Sequence, residues 1–219
     1  MALEEMGAFF DARADGYEAH MFQNVDGADT YYRETAALIP TDRHIDLLDL
    51  GCGTGLELDE IARINTDIDV TGVDLSDEMM ALLMDKHAET FKSIKLVKGS
   101  YFDVDYPEAG FDVALSVQTM HHFPHVQKLG LYKKLRAALR ERGQYIETDY
   151  VAPDQTYENF HYAENARLRK EQGIADGAFY HYDTPCTVEN QLRLFKEAGF
   201  ARAELVWRHA NTAIMRAFV

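Results

Sequence analysis

Two periodicities of apolar and polar residues alternate along most of the chain. From residue 41 onwards, short apolar runs are followed by stretches in which apolar residues recur every three or four positions. The short runs predict five strands, and the stretches between them predict helices. The strands read "HIDLLDL", "DIDVTGVDL", "IKLVKGS", "FDVALSV" and "GQYIETDYV". Strands that alternate with helices predict a parallel sheet covered by helices on both faces.

The two ends of the chain depart from this alternation. Residues 1–40 read as helices with aromatic faces, so we expect a helical cap in front of a core formed by residues 41–150. The alternation stops again over residues 151–186, where we expect one or two helices and an aromatic loop that together form a lid. Residues 187–219 predict a final helix and two strands, joined by a turn short enough for an antiparallel hairpin at a sheet edge.

These elements predict a single α/β domain over residues 1–219, with a doubly wound, mostly parallel, seven-stranded sheet and an antiparallel C-terminal hairpin. Within the first predicted helix of the core, Leu56, Ile61 and Ile64 are expected to share the buried side. The basic segment "KKLRAALRER" at residues 133–142 is expected to form the end of a surface helix, where cations complement the helix dipole.

The charge of the chain narrows the choice of partner. Among 219 residues, 37 are acidic and 22 are basic, which gives a formal charge of −15. Such a surface repels phosphate backbones and anionic headgroups, so we expect a small-molecule ligand and neither nucleic acid nor membrane. No apolar run reaches the length of a membrane span, and the N-terminus is too acidic for a secretory signal. The expectation is a soluble, cytoplasmic protein, for which the N-terminal aromatic residues permit a homodimer.

A glycine-rich segment follows the first predicted strand. In "IDLLDLGCGTGLELDEI", residues 45–61, the glycines Gly51, Gly53 and Gly55 alternate with other residues just before a helix begins. Because glycine lacks a side chain, it allows a tight turn and lets a ligand lie against the backbone. The free N–H groups of the following helix point toward the same place. The segment therefore predicts a ligand at the carboxyl ends of the strands.

The kind of ligand follows from two further residues. Asp74 closes the second predicted strand, where a carboxylate can accept hydrogen bonds from both hydroxyls of a ribose. A nicotinamide or flavin site has the pattern G-x-G-x-x-G, and Leu56 occupies the position of its third glycine. The spacing favours a nucleoside without a pyrophosphate, and it argues against a nicotinamide oxidoreductase.

The segments "LLDLGCGTG" and "VTGVDLSDEMM" resemble the first two motifs of class I S-adenosylmethionine-dependent methyltransferases, and the resemblance continues in "VKGSYF" and "FDVALSVQTMHHF". It implies S-adenosylmethionine as cofactor, S-adenosylhomocysteine as product, and methyl transfer to a small acceptor. The methionine moiety would lie near the first motif, the ribose at Asp74, and the adenine between the next motifs. The implied cofactor-binding residues are Asp49, Gly51, Cys52, Gly53, Gly55, Asp74, Leu75, Met79, Ser100, Tyr101, Phe102, Val117 and Gln118.

One position departs from the family pattern. Members often carry an acidic residue after the glycine of the third-strand motif, where it contacts the adenine amine, and this chain has Ser100 there. A serine hydroxyl or the backbone can make that contact. Asp103 is an alternative partner, although a residue of its type at that place also suits a turn.

Candidate catalytic residues follow the fourth predicted strand in "TMHHFPH". The resemblance places His121, His122 and His125 near the cofactor and the substrate entrance, and His122 is the candidate general base. The alternative is that these histidines cap or pack under the next helix. No metal site is expected, because neighbouring side chains of an extended segment point in different directions. Tyr17 is the second candidate, since a tyrosine of an N-terminal helix reaches over the cofactor in many small members.

Two alternatives stay within the same fold. The chain also resembles carboxy-S-adenosylmethionine synthase, in which an arginine would hold the added carboxylate, and Arg193 and Arg208 are the available arginines. The other alternative is a non-catalytic protein that binds the cofactor. Whether the chain is a methyltransferase or the synthase, the expected lid shapes the acceptor pocket with aromatic and histidine side chains. These are Tyr157, Phe160, His161, Tyr162, Phe179, Tyr180, His181 and Tyr182.

Overall fold

The structure, a computed structural model, describes residues 2–219 and contains one sheet with helices on both faces. The strands are β1 Ile45–Leu50, β2 Ile68–Asp74, β3 Ser93–Lys98, β4 Phe111–Val117, β5 Leu139–Ala152, β6 Cys186–Thr187, β7 Arg202–His209 and β8 Thr212–Phe218. The helices are α1 Met6–Asp11, α2 Ala14–Asn24, α3 Ala28–Ala36, α4 Leu56–Ala62, α5 Asp77–His87, α6 His125–Ala138, α7 Gln155–Glu171 and α8 Val188–Glu197. The predicted doubly wound α/β fold is confirmed.

The order of the strands places a crevice at the centre of the sheet. The order is β3-β2-β1-β4-β5-β8-β7, and the strands from β3 to β5 are parallel. Strands β1 and β4 are buried along nearly their whole length, as central strands covered on both faces must be. Since the order reverses between β1 and β4, the carboxyl ends of these two strands form a crevice where a ligand can bind.

The C-terminal hairpin forms as predicted. Strand β8 pairs antiparallel with both β5 and β7, and residues 210–211 connect the hairpin. The sheet contains one strand more than the seven predicted, because β6 adds two residues beside the end of β5. So short a strand has too few residues to show a periodicity. The predicted lid segment contains one long helix, α7, in agreement with the one or two helices expected there.

Two local predictions were wrong. Helix α4 ends at Ala62, so Ile64 lies beyond it and is 42% exposed instead of sharing the buried side. Helix α6 ends at Ala138, and the second half of the basic segment belongs to β5. There Arg140 lies 2.6 Å from Asp112 and 2.7 Å from Asp46, so these two carboxylates draw it into the sheet.

The N-terminal helices are tied to the segment that follows α7. The amide of Met6 donates to Phe179 O at 3.0 Å, and the amide of His181 donates to Glu4 O at 2.9 Å. These bonds hold α1 beside the carboxyl edge of the sheet. Within residues 2–219, none of the helices combines the length and the apolar character needed to cross a bilayer.

Candidate functional site

A narrow cavity lies at the carboxyl ends of β1, β2 and β4. Its walls are formed by the glycine loop, the end of β2, the start of α5 and the N-terminal helices. Predicted cofactor residues that line it are Gly51, Gly53, Asp74, Leu75, Met79, Tyr101, Val117 and Gln118, and Met6, Phe10, Tyr17 and Thr119 complete it. The structure thus brings together residues from five separate segments of the sequence. We call this cavity the cofactor cavity.

The glycine loop needs its glycines for steric reasons. Gly51, Gly53 and Gly55 have φ angles of +71°, +45° and +76°, which residues with a side chain rarely adopt. A Cβ atom added to Gly51 would lie 2.7 Å from the Thr119 Oγ1 atom. The loop therefore packs directly on the segment after β4, which leaves its backbone facing the cofactor cavity.

The Asp74 carboxylate is held in a fixed orientation. The amide of Gly53 donates to Asp74 Oδ2 at 2.8 Å, and the amide of Ser76 donates to Oδ1 at 2.9 Å. Burial raises the pKa of Asp74, although these amide bonds act to lower it. Each carboxylate oxygen can accept a second hydrogen bond, so the group is able to bind a pair of hydroxyls.

Several predicted cofactor residues lie behind the wall of the cofactor cavity. Gly55 is the N-cap residue of α4, and Cys52 is buried with its sulfur toward Gly72. Ser100 uses its hydroxyl to accept a bond of 3.2 Å from the amide of Phe102. The Phe102 ring packs against two other phenylalanines instead of entering the cavity. Asp103 donates its amide to Ser100 O at 2.8 Å and is exposed, which is the turn role foreseen as its alternative.

Asp49 lies beneath the glycine loop and shares its buried environment with Glu57. Neither Asp49 oxygen has a hydrogen-bond partner among residues 2–219. Burial, with the nearby Glu57 carboxyl, raises the pKa of Asp49 well above its usual range. Burial also raises the pKa of Glu57, to about 7. The buried Asp49 oxygens, which make no hydrogen bond within residues 2–219, favour a positively charged ligand.

A larger cavity of about 850 Å³ lies beside the cofactor cavity. The two share Phe10, Tyr17 and Gln118 as lining residues, so one continuous wall serves both. Gln118 has a φ angle of +55°, which is unusual for a residue with a side chain. Backbone strain of this kind is found at functional sites. We call this second space the acceptor cavity.

Three histidines and two aspartates cluster at the acceptor cavity. His121 Nδ1 lies 2.5 Å from Asp149 Oδ1. On the other side, Asp183 Oδ1 lies 3.6 Å from His121 Nε2, 3.4 Å from His122 Nδ1 and 3.9 Å from His181 Nε2. The expectation that the first two histidines diverge was wrong. They lie on a 3₁₀ turn, Met120–His122, instead of an extended segment, and their ring centres are 4.0 Å apart.

The ionisation of these groups follows from burial and from their charges. Burial acts to lower the pKa of His121, but the Asp149 carboxylate raises it overall. Burial, helped by the neighbouring His121, lowers the pKa of His122. Burial likewise lowers the pKa of His181, to about 4. Burial would raise the pKa of Asp183, but the facing imidazoles hold it well below its usual range.

The other candidates from the sequence lie in different places. Tyr17, on α2, lines both cavities, and burial raises the pKa of its hydroxyl, which therefore keeps its proton and can donate a hydrogen bond. His125 lies outside both and faces Glu158 Oε1 at 2.9 Å. Of the expected lid side chains, His181 lines the acceptor cavity, whereas Phe160 is 62% exposed.

Asp149 and Asp183 were missed by the sequence reasoning. A signal existed for Asp149, because a charged residue in the buried strand "GQYIETDYV" is unusual unless it has a partner. Asp183 lies in an irregular segment, where neither periodicity nor a motif marks it. Asp183 can be recognised as a site residue only in the folded chain, where its loop lies beside the histidines.

The chain is similar to several known proteins. Residues 47–143 match the sequence profile of the methyltransferase domain family. The sterol 24-C-methyltransferase of Aspergillus fumigatus is 27% identical over 157 residues, which are 70% of this chain and 39% of that protein. Carboxy-S-adenosyl-L-methionine synthase of Campylobacter fetus subsp. fetus is 23% identical over 203 residues, 86% of each chain. The chain spans 39–45% of the length of three curated sterol methyltransferases that it matches.

Among solved structures, a complex of DhpI with SAM and HEP superposes with a TM-score of 0.70 at 17% identity, over 96% of this chain and 94% of that one. The fold and the site define a class of α/β proteins that bind a nucleoside at the end of the first two strands. Within that class, residues 47–143 match the methyltransferase domain family, and the chain is similar to S-adenosylmethionine-dependent methyltransferases and to carboxy-S-adenosyl-L-methionine synthase.

Proposed function

We propose that this chain transfers the methyl group of S-adenosylmethionine to a small molecule bound in the acceptor cavity. The observation that carries the proposal is the wall shared by the two cavities at Phe10, Tyr17 and Gln118. A cofactor in one cavity can present its methyl group to a molecule in the other without crossing solvent. The acceptor cavity has the size of a site for a small organic molecule.

In this proposal each predicted cofactor residue binds a different part of the cofactor. Asp74 accepts the ribose hydroxyls, and Leu75 and Met79 flank the adenine. Asp49, whose buried oxygens have no hydrogen-bond partner among residues 2–219, attracts the positive charge of the methionine moiety. The glycine loop supplies the surface on which this moiety lies. Residues 1–40 cover both cavities, and residues 151–186 act as the lid of a single domain.

Methyl transfer is an in-line displacement. A lone pair of the acceptor attacks the methyl carbon while the carbon–sulfur bond breaks, and S-adenosylhomocysteine leaves. The protein accelerates this step by aligning the acceptor, the methyl group and the sulfur and by excluding water. We assign acceptor activation to His122, which is buried in the cavity wall and has its Nδ1 toward Asp183. Tyr17, at the shared wall, orients the reacting groups.

Carboxy-S-adenosylmethionine synthesis is the second candidate, favoured by the coverage of 86% of both chains in the relative from Campylobacter. Against it, Arg193 pairs with Glu197 on the exposed side of α8, and Arg208 is exposed on β7. Neither lines either cavity. Arg13 lines the acceptor cavity, but it is held 3.1 Å from Glu4.

Mass spectrometry of the small molecule that remains bound to the purified native protein tests the proposal. We expect S-adenosylmethionine or S-adenosylhomocysteine, followed by release of S-adenosylhomocysteine when an acceptor is supplied. A bound molecule larger by one carboxyl group would select the synthase instead. A nicotinamide cofactor would refute the assignment of the cofactor cavity.

A further inference from the structure

Three side chains at the acceptor cavity form a set of donors whose arrangement goes beyond the acceptor activation assigned to His122. These are His121, His122 and Asp183, whose ligand atoms all lie within 4.8 Å of one another. We infer that His121 Nε2, His122 Nδ1 and the Asp183 carboxylate bind a divalent transition-metal ion, with Zn²⁺ as the representative case. Two imidazoles and one carboxylate are a known donor set for catalytic zinc and for non-haem iron.

The distances within the cluster fit metal ligands better than hydrogen bonds. A charge-assisted hydrogen bond between these groups would measure about 2.7–2.9 Å. The observed separations from Asp183 Oδ1 are 3.4 Å to His122 Nδ1 and 3.6 Å to His121 Nε2. Two ligands of a tetrahedral ion at about 2.0–2.1 Å lie about 3.3–3.4 Å apart. The Asp183 oxygen therefore lies, from each imidazole nitrogen, at about the distance that separates two ligands of such an ion.

Burial provides an independent indication. The His122 side chain is only 3% exposed, and within residues 2–219 its Nδ1 atom makes no hydrogen bond. Asp183 Oδ1 is likewise buried without a hydrogen-bond partner in that part of the chain. Buried polar atoms of this kind cost free energy unless something binds them. A metal ion coordinated by both would satisfy them together.

The surroundings hold the donors in place. His121 Nδ1 faces Asp149 at 2.5 Å, so the Nε2 lone pair points to the cluster. A carboxylate behind a histidine in this way is the usual second neighbour of a metal-binding imidazole. Asp183 is fixed through the next residue, because the Thr184 amide donates to His121 O at 2.6 Å. Two segments 63 positions apart in sequence are thus joined beside the donors.

The position of the site indicates its use. All three donors line the acceptor cavity, so a remaining coordination position of the ion is open to the acceptor. The role of the ion in acceptor activation rests on the proposed function. An acceptor hydroxyl bound to the ion loses its proton to water more easily, and the resulting oxygen lone pair attacks the methyl carbon. The acceptor class is then a small molecule with a metal-coordinating oxygen. His122 contributes to its activation as a metal ligand instead of taking the proton itself.

Calorimetric titration of the full-length, chelator-treated protein with ZnCl₂ tests the site. We expect one ion per chain, a weakening of more than about 100-fold in His122→Ala and Asp183→Asn, and about 10- to 100-fold in Asp149→Asn. Asp183→Asn conserves shape at a side chain that is 42% exposed, so it should fold normally, and thermal unfolding checks this. The absence of zinc binding in the folded wild-type protein would overturn the proposal.

A second donor cluster supplies the matched control. His125, Glu158 and Cys186 also lie close together, outside both cavities. We expect His125→Gln to leave zinc affinity unchanged, and Co²⁺ bound to the wild-type protein to lack a thiolate charge-transfer band. Loss of zinc binding in His125→Gln would place the ion at this second cluster and would overturn the proposal. Titration of S-adenosylmethionine in zinc-free buffer separates the two proposals, because cofactor binding with no zinc binding refutes only the metal site.

Discussion

The backbone amide of Gly53 lies 2.8 Å from Asp74 Oδ2, so the loop after β1 is hydrogen-bonded to the last residue of β2. Twenty-one positions separate the two residues in sequence. The loop that would carry the methionine moiety and the carboxylate that would carry the ribose are therefore one rigid unit. A change at Asp74 should affect both parts of the cofactor.

Asp74→Asn tests this unit. In wild type, each Asp74 oxygen accepts a hydrogen bond from one backbone amide, Gly53 N or Ser76 N. The side chain of asparagine has an NH₂ group in place of one oxygen, and this donor would face one of those two N–H donors. Loss of a charged acceptor is worth about 1.5–3 kcal/mol, which corresponds to about 10- to 150-fold weaker binding of S-adenosylmethionine. Calorimetric titration measures it. Asp77→Asn, an exposed carboxylate three positions away, is the control and should bind normally. Equal affinities in both variants would contradict the proposed cofactor site.

Gly51→Ala should damage both the fold and the cofactor cavity. Its φ of +71° disfavours a side chain, and the new Cβ atom would meet Thr119 Oγ1 at 2.7 Å. We expect a loss of about 1–3 kcal/mol in the free energy of unfolding, measured with urea, together with weaker cofactor binding. Gly130→Ala is the matched control, because nothing lies within 4 Å of its added Cβ atom in α6. It should gain up to about 1 kcal/mol. A similar loss in both would contradict the steric argument.

The central fold and the glycine loop were predictable because their determinants are local. The apolar runs of β1 and β4 and the spacing of Gly51, Gly53 and Gly55 lie within short windows of sequence. The short strand β6 escaped prediction since two residues show no period. The boundary between α6 and β5 escaped it because the strand contacts of Arg140 override the local helical pattern.

The polar cluster was only partly predictable, since it depends on distant pairs. The segment "TMHHF" indicated the histidines, but Asp149, the partner of His121, lies 28 positions away in β5. Asp183 reaches the cluster because hydrogen bonds from Thr184 hold its loop on the His121 carbonyl. No periodicity in the sequence carries information of this kind, because the pairing follows from the topology of the sheet.

Tyr17→Phe separates a role of the hydroxyl in alignment from a role of the ring in packing. The ring lines both cavities and stays in the variant, so cofactor affinity should change less than about threefold. We expect kcat to fall by about 3- to 10-fold, the worth of one hydrogen bond, because the hydroxyl orients the reacting groups. Steady-state kinetics with the acceptor measures it. An unchanged kcat would assign Tyr17 to packing. The comparison variant is Tyr17→Leu, which removes the ring and should weaken cofactor binding.

The buried carboxyl of Glu57 should make the stability of the protein depend on pH. Burial raises its pKa from 4.5 to about 7, against the lowering influence of Asp49 and Lys86, while Asp59 raises it further. The folded state therefore holds a proton that the unfolded state releases, so the stabilisation is complete below pH 4.5 and is lost as pH rises to about 7. The full effect is at most about 3 kcal/mol. Urea unfolding between pH 5 and 8 measures it.

Glu57→Gln should flatten this dependence, because a neutral amide replaces the titrating carboxyl. Glu78→Gln removes an exposed carboxyl and should keep the wild-type slope. Since Asp49 has its pKa raised in the same buried environment, part of the slope should remain in Glu57→Gln. Bound S-adenosylmethionine places a cation beside these carboxyls, so it should raise the melting temperature more at pH 8 than at pH 6. A cofactor-induced shift that is equal at both pH values would contradict the assignment of Asp49 to the charged methionine moiety.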